Sequence, residues 1–272
     1  MAGNPSDCGY IVLSVGVRCD VGKTRTENQD RVGRGVTPFG DLFIVADGVG
    51  GYRGGAEAAQ ATVDGFKRSL IAGSDLTLSE ALQRAARVIN TDLRNRSANH
   101  RELRGMGSTV VLCVIKGNHA MYGHVGDSRA YLLRDSRLQQ LTRDHSLMER
   151  MVADGILTPA QAMVHPNANM LTRALGHGTE VSLDIAELVV RPGEALLLCS
   201  DGLWGYVGHE KIEAVARSVD LSPDAIADNL LNLAIEAGGG DNISIQFIRF
   251  EAVQPRAQRS LVSGLPWKKR LQ

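Results

Sequence analysis

The chain has 272 residues, 43% of them hydrophobic and 22% charged, a composition compatible with one large domain or two small ones. Lys and Arg number 30, as do Asp and Glu, so bulk charge gives no argument for nucleic acid or an acidic membrane as the main partner. No apolar run approaches the roughly 20 residues of a membrane helix, no basic start leads into an apolar stretch, and Cys8, Cys19, Cys113 and Cys199 lack metal-binding spacing. Three of these cysteines sit in apolar, strand-like runs where a reduced, buried thiol is the ordinary reading, and the expected location is the cytoplasm.

In chain order, residues 10–19 and 41–46 read as strands rich in Val and Ile. A helix is predicted over 55–72, with Ala58, Ala59, Val63, Phe66 and Leu70 near helical spacing. Thr77 and Glu80 form a capping-box signature for a second helix, whose apolar stripe is Leu82, Ala86, Ile89 and Leu93. From 107 to 141 short strands alternate with turns at Gly117-Asn118, Gly126-Asp127-Ser128 and Arg134-Asp135-Ser136, the pattern of an antiparallel meander. Residues 145–178 break that pattern as an irregular, surface-lying insertion. Strands over 181–190 and 195–200 follow, then a helix from about 208 and another capped by Ser222 with Pro223 at its first position. A last strand spans Asn242 to Phe250. Strands in runs and helices in pairs predict antiparallel sheets covered by helical hairpins rather than a doubly wound parallel sheet. Residues 251–272 carry five Lys or Arg against one Glu and read as a basic tail.

Four aspartates stand beside Gly or Asn at the ends of apolar runs: Asp30, Asp47, Asp201 and Asp241. Asp-Gly is first a turn signal. Asp47 and Asp201, however, follow Leu42–Ala46 and Ala195–Ser200, where an unpaired carboxylate is costly. A divalent ion would supply the compensating charge, and such ions take several carboxylate oxygens. Other motifs fail on inspection. The glycines from 48 to 55 miss the dinucleotide fingerprint, Gly22-Lys23-Thr24 lacks the P-loop glycine at position 17, and neither HExxH nor GxSxG occurs. Arg25, in a polar loop near Asp30, would suit a phosphate if it lies beside a metal cluster.

Taken in order, the segments Arg25-x-x-Asn28-Gln29-Asp30, Ala46-Asp47-Gly48-Val49-Gly50-Gly51, Gly107-Ser108-Thr109, His124-Val-Gly-Asp127-Ser128-Arg129, Asp144-His145-Ser146, Leu198-Cys-Ser-Asp201-Gly202-Leu203 and Gly240-Asp241-Asn242 resemble the bacterial metal-dependent Ser/Thr protein phosphatases of the PPM (type 2C) family. The resemblance covers residues 10–250. It implies a four-layer α-β-β-α sandwich of α+β class with two central antiparallel sheets and a flap at 145–178. It also implies two Mn²⁺ or Mg²⁺ ions at one end of the sheets. Asp47 would bridge both ions, the Gly48 carbonyl would serve one of them, and Asp201 and Asp241 would hold the other. Asp30 would act through water, Asp127 would hold a more labile third ion, and Arg25 would grip the substrate phosphate. Many relatives have Glu where Gln29 stands. Relatives of animal type carry a histidine after the Asp-Gly, where Val49 has no proton to give, leaving water or His145 as candidate acids.

The activity so implied is hydrolysis of phosphoserine and phosphothreonine on proteins by a monomer that opposes a Ser/Thr kinase. Two close ions are suited to phosphomonoester hydrolysis, and hard oxygen ligands favour Mn²⁺ or Mg²⁺ over zinc. The alternative is a catalytically weak phospho-binding regulatory module on the same fold, which loss of a core aspartate would have favoured; none is missing. A small-molecule phosphohydrolase is a third reading.

Overall fold

The computed structural model describes residues 11–50, 53–73, 75–163, 165–167 and 170–252. Cys8, Gly51 and the basic tail from 253 onward lie outside them. In chain order the first half runs β1 (Ile11–Asp20), β2 (Asp30–Thr37), β3 (Gly40–Val49), α1 (Gly54–Ile71), α2 (Leu78–Asn99), β4 (Gly107–Ser108), β5 (Val110–Lys116) and β6 (His119–Val125). It continues with β7 (Arg129–Arg134), β8 (Arg137–Gln140), α3 (Leu147–Ala153), α4 (Pro159–Met163) and β9 (Asp184–Val189). The last elements are β10 (Ala195–Cys199), α5 (Asp201–Trp204), α6 (His209–Ala216), α7 (Pro223–Glu236) and β11 (Ile243–Ala252).

The strands form two antiparallel sheets, ordered β1-β11-β10-β7-β8 and β2-β3-β5-β6-β9, with β4 paired to the end of β3. The apolar runs show why they face each other. In β3, Leu42, Ile44 and Ala46 pack with Phe66, Leu82 and Leu93 of the α1–α2 hairpin. The alternate residues Phe43 and Val45 pack between the sheets with Val111, Leu196, Leu198 and Ile248. On the opposite side Leu197, Cys199, Ile245 and Phe247 pack with Ile226 and Leu230 of α7. Strands buried on both faces read as continuous apolar runs. The result is the α-β-β-α sandwich that the family resemblance implies. Gln246 of β11 also faces across the gap and donates from Nε2 to the carbonyls of Gly33 (3.2 Å) and Ile44 (2.6 Å), fastening one sheet to the other.

The helix signals match the structure. The Thr77–Glu80 capping box is present in both directions, and Ser222 caps α7 with Pro223 in its first turn. Three features differ from expectation. Strand β2 pairs along its length with β3, yet its Gly33 and Gly35 break any apolar alternation. The segment expected as one meander divides between the sheets, β5–β6 in one and β7–β8 in the other. The change of sheet occurs at Gly126–Ser128, which carries Asp127 to the sheet ends. Finally, Asp201 does not end a strand but opens the one-turn helix α5.

The insertion at 145–178 contains α3 and α4 and is anchored by bridges from Ser146 to Leu171 and from Ser108 to Leu175. Among the described residues no helix is long and apolar enough to cross a membrane. Cys19, Cys113 and Cys199 are free; the last two are buried, whereas Cys19 is exposed.

Candidate active site

Backbone pairing brings the separated aspartates to one end of the sandwich. Asp30, first in β2, is the register partner of Asp47 in β3. The two Asp-Gly steps are needed for close backbone approach. A Cβ on Gly202 would collide with the Asn242 carbonyl, and one on Gly48 with the Gly55 carbonyl. The first turn of α5, which bears Asp201, therefore packs directly against the loop bearing Asp241. Thr109 ties in the third element. Its N–H donates to the Asp47 carbonyl (2.8 Å), while its Oγ1 accepts the Asp47 N–H (3.2 Å) and hydrogen-bonds Ser128 Oγ (2.7 Å). Asp127 stands next to that serine.

Two further polar residues fix the loop that holds Arg25. Asn242 accepts the Gln29 N–H (2.8 Å) and donates to the carbonyls of Val21 and Glu27, both at 3.0 Å. Ser200 Oγ donates to Asp30 Oδ2 (2.6 Å) and accepts the Ser244 N–H (2.9 Å). Sequence reasoning gave no role to Thr109, Ser128, Ser200 or Asn242, although all four lie in the quoted motifs. Their signal was a short polar residue flanking an apolar run; all four are buried here.

The field at this end is strongly negative. Asp30 and Asp127 are almost fully buried. Burial pushes Asp30 up to about 6, against hydrogen bonds from Ser200 and Ser244 that hold it down, with Asp241 raising it further. Burial, then the charge of Asp144, pushes Asp127 up to about 7. Asp47 is held well above the usual carboxylate range by burial and then by Asp30, Asp201, Asp127 and Asp241. Burial followed by Asp127, Asp241 and Asp30 does the same to Asp201. Arg25 reaches this group from a half-exposed position, its Nη2 2.9 Å from Asp241 Oδ2. One exposed guanidinium does not neutralise five carboxylates, and such groups are stable as anions only with cations beside them. A set of carboxylate and carbonyl oxygens fits hard divalent ions such as Mn²⁺ or Mg²⁺.

A different group lies close together. The ligand-type atoms of His124, His145 and Asp184 lie within 4.8 Å of one another. Arg173 occupies this position: its Nη1 is 2.9 Å from both His145 Nε2 and Asp184 Oδ1. The two imidazoles are stacked, 4.6 Å apart and 16° from parallel, so their in-plane lone pairs do not converge. His145 is instead a fastener. Its Nδ1 accepts the Gly126 N–H (3.1 Å), its backbone N–H donates to the Gly126 carbonyl (2.9 Å), and its Nε2 faces Asp184 Oδ2 (3.1 Å). Burial, with His124 and Arg173 nearby, lowers its pKa to about 4. Neutral and engaged at both nitrogens, His145 is not placed to act as the acid that sequence reasoning had left open.

Residues 22–228 match the family model of protein phosphatase 2C. Protein phosphatase PhpP of Streptococcus pneumoniae is 33% identical over 239 residues, which cover 87% of this chain and 97% of that one. The S. agalactiae serine/threonine phosphatase structure superposes with a TM-score of 0.83 at 30% identity, covering 88% of this chain and 100% of the other. The catalytic domain of the serine threonine protein phosphatase PstP, solved in complex with two manganese ions, gives 0.79 at 32% identity, with 89% and 99% coverage. With the sandwich and the acidic cluster in view, these matches lead to one conclusion: the chain belongs to the protein phosphatase 2C family.

Proposed function

We propose that this chain hydrolyses phosphoserine and phosphothreonine on proteins in the cytoplasm, in opposition to a Ser/Thr kinase. The observation that carries the reading is the acidic cluster itself. Five carboxylates from both sheets share one low-dielectric site, an arrangement that neither turn chemistry nor Arg25 alone explains. Family membership supports the same conclusion.

In this reading Asp47, the Gly48 carbonyl, Asp201 and Asp241 would hold two Mn²⁺ or Mg²⁺ ions. When bound, such ions lower the pKa of water and stabilise in-line displacement at phosphorus. Asp30, fixed by the Ser200 hydroxyl, orients water at the cluster. Arg25 exchanges its contact with Asp241 for the substrate phosphate, whose oxygens match a planar guanidinium. Val49 has no proton to give and both His145 ring nitrogens are engaged, so protonation of the departing Ser or Thr oxygen falls to water.

The test is hydrolysis of a phosphothreonine peptide with Mn²⁺, with Mg²⁺ and with chelator, beside Asp201→Asn. Turnover should require metal and disappear in the variant. A variant as active as the native chain would overturn the assignment.

A further inference from the structure

Trp204 ends the one-turn helix that Asp201 opens. Its indole Nε1–H donates to the Asp127 carbonyl at 3.1 Å, and the Arg129 guanidinium lies over its ring, 3.4 Å from the centroid. That guanidinium is itself fixed. Its Nε lies 2.9 and 3.2 Å from the two Asp144 oxygens, its Nη2 is 2.6 Å from Oδ2, and its Nη1 donates to the Tyr131 hydroxyl at 3.2 Å. The Asp127 turn is gripped from two other directions, by His145 on Gly126 and by Thr109 on Ser128. Of these grips, only Trp204 shares a helix with Asp201.

We propose that Trp204 is a positioning residue whose indole N–H pins the Asp127 turn against the helix that Asp201 opens, and thereby sets the affinity of the most weakly held ion, the one read as held by Asp127. The inference rests on reading Asp127 as a ligand of that ion. It assigns the control of an oxygen site to a side chain that offers the ion no donor atom. An aromatic face alone would hold Arg129; the N–H adds registry to the turn that carries the ligand.

Trp204→Phe separates the two roles, because it keeps a ring under Arg129 and removes the donor. Metal-free full-length protein would be titrated with Mn²⁺ by calorimetry as native chain, Trp204→Phe and Asp127→Asn. Loss of one hydrogen bond of ordinary strength predicts a roughly five- to tenfold weaker third site in Trp204→Phe, with the tighter sites unchanged. Its melting temperature should stay within about 4 °C of native, and Asp127→Asn should lack that site. Trp204 and Trp267 are the two tryptophans of the chain, so Trp267→Phe leaves Trp204 as the sole tryptophan, excited selectively over tyrosine. Its fluorescence should then change over the same Mn²⁺ range, and not when Asp127→Asn is added.

Native-like affinities at every site in Trp204→Phe would overturn the positioning role while leaving the metal reading intact. Equal weakening of all sites would overturn it in favour of a general packing role. A weak site that survives Asp127→Asn would remove the ligand on which the inference rests. No Mn²⁺ binding by the native chain would defeat the metal reading itself.

Discussion

At the scale of single residues, charge decides more than packing does. Asp201 is held in a field of like charges, so in the absence of metal its carboxylate opposes the folded state. Asp201→Asn keeps the shape and removes one charge. The metal-free variant should therefore melt at a higher temperature than the metal-free native chain, although it should be inactive, and calorimetric scanning with chelator present checks this. Arg25 is the reverse case, a half-exposed cation whose present partner is Asp241. Arg25→Ala should raise the KM for a phosphopeptide by about tenfold or more, as expected for loss of a charge-assisted pair. Arg25→Lys should recover only part of that, because an ammonium cannot reproduce the planar fork. Equal KM values in the three proteins would remove Arg25 from substrate binding.

At the scale of elements, the site depends on how closely backbones meet. Gly202 lies against the Asn242 carbonyl, so Gly202→Ala must separate the first turn of α5 from the loop of Asp241. It should cost about 3 kcal/mol or more in stability, in the range of severe core disruptions, and weaken Mn²⁺ binding as well. Thr77→Ala touches only the α2 cap and should cost about 1 kcal/mol while leaving turnover unchanged; denaturant melts and a peptide assay separate the two outcomes. The same contrast governs what could be read before the fold was known. Helices α1 and α2 announce themselves by repeated spacing, and α2 and α7 by caps that act locally. The apolar runs of β3, β10 and β11 are legible because both faces are buried. Strand β2 was not legible, because its glycines answer to Val63 of α1 lying over Gly33, a long-range requirement. Helix α5 has one turn and no periodicity to display. Asp30, Asp47, Asp201 and Asp241 were identifiable from their neighbours and Asp127 only through the family resemblance, whereas Ser200, Thr109 and Trp204 act through partners that only tertiary structure supplies.

At the scale of the molecule, protons and ions compete for the same oxygens. Without metal, Asp30 and Asp127 titrate near 6 and 7 against an ordinary 3.8, and Asp47 and Asp201 also lie well above it. For a carboxyl raised in the folded state, stability is full below about pH 4 and is lost as pH rises through the folded value. His145, lowered from 6.5 to about 4, acts in the opposite sense over that interval, but it is one group against four. The metal-free melting temperature should therefore fall between about pH 5 and about 7.5. With Mn²⁺ it should rise over the same interval, since binding releases protons. Parallel slopes in the two series would contradict the shared-site argument. The insertion at 145–178 adds a consequence of another kind. It leaves β8 and returns in β9, and these are the outer strands of different sheets. Beyond its fastenings at Ser108, His145 and Asn90, a segment strung between two outer strands can be lengthened, shortened or exchanged without disturbing any pairing inside either sheet. Such a place would let a lineage of chains vary what it admits while the acidic cluster stays unaltered.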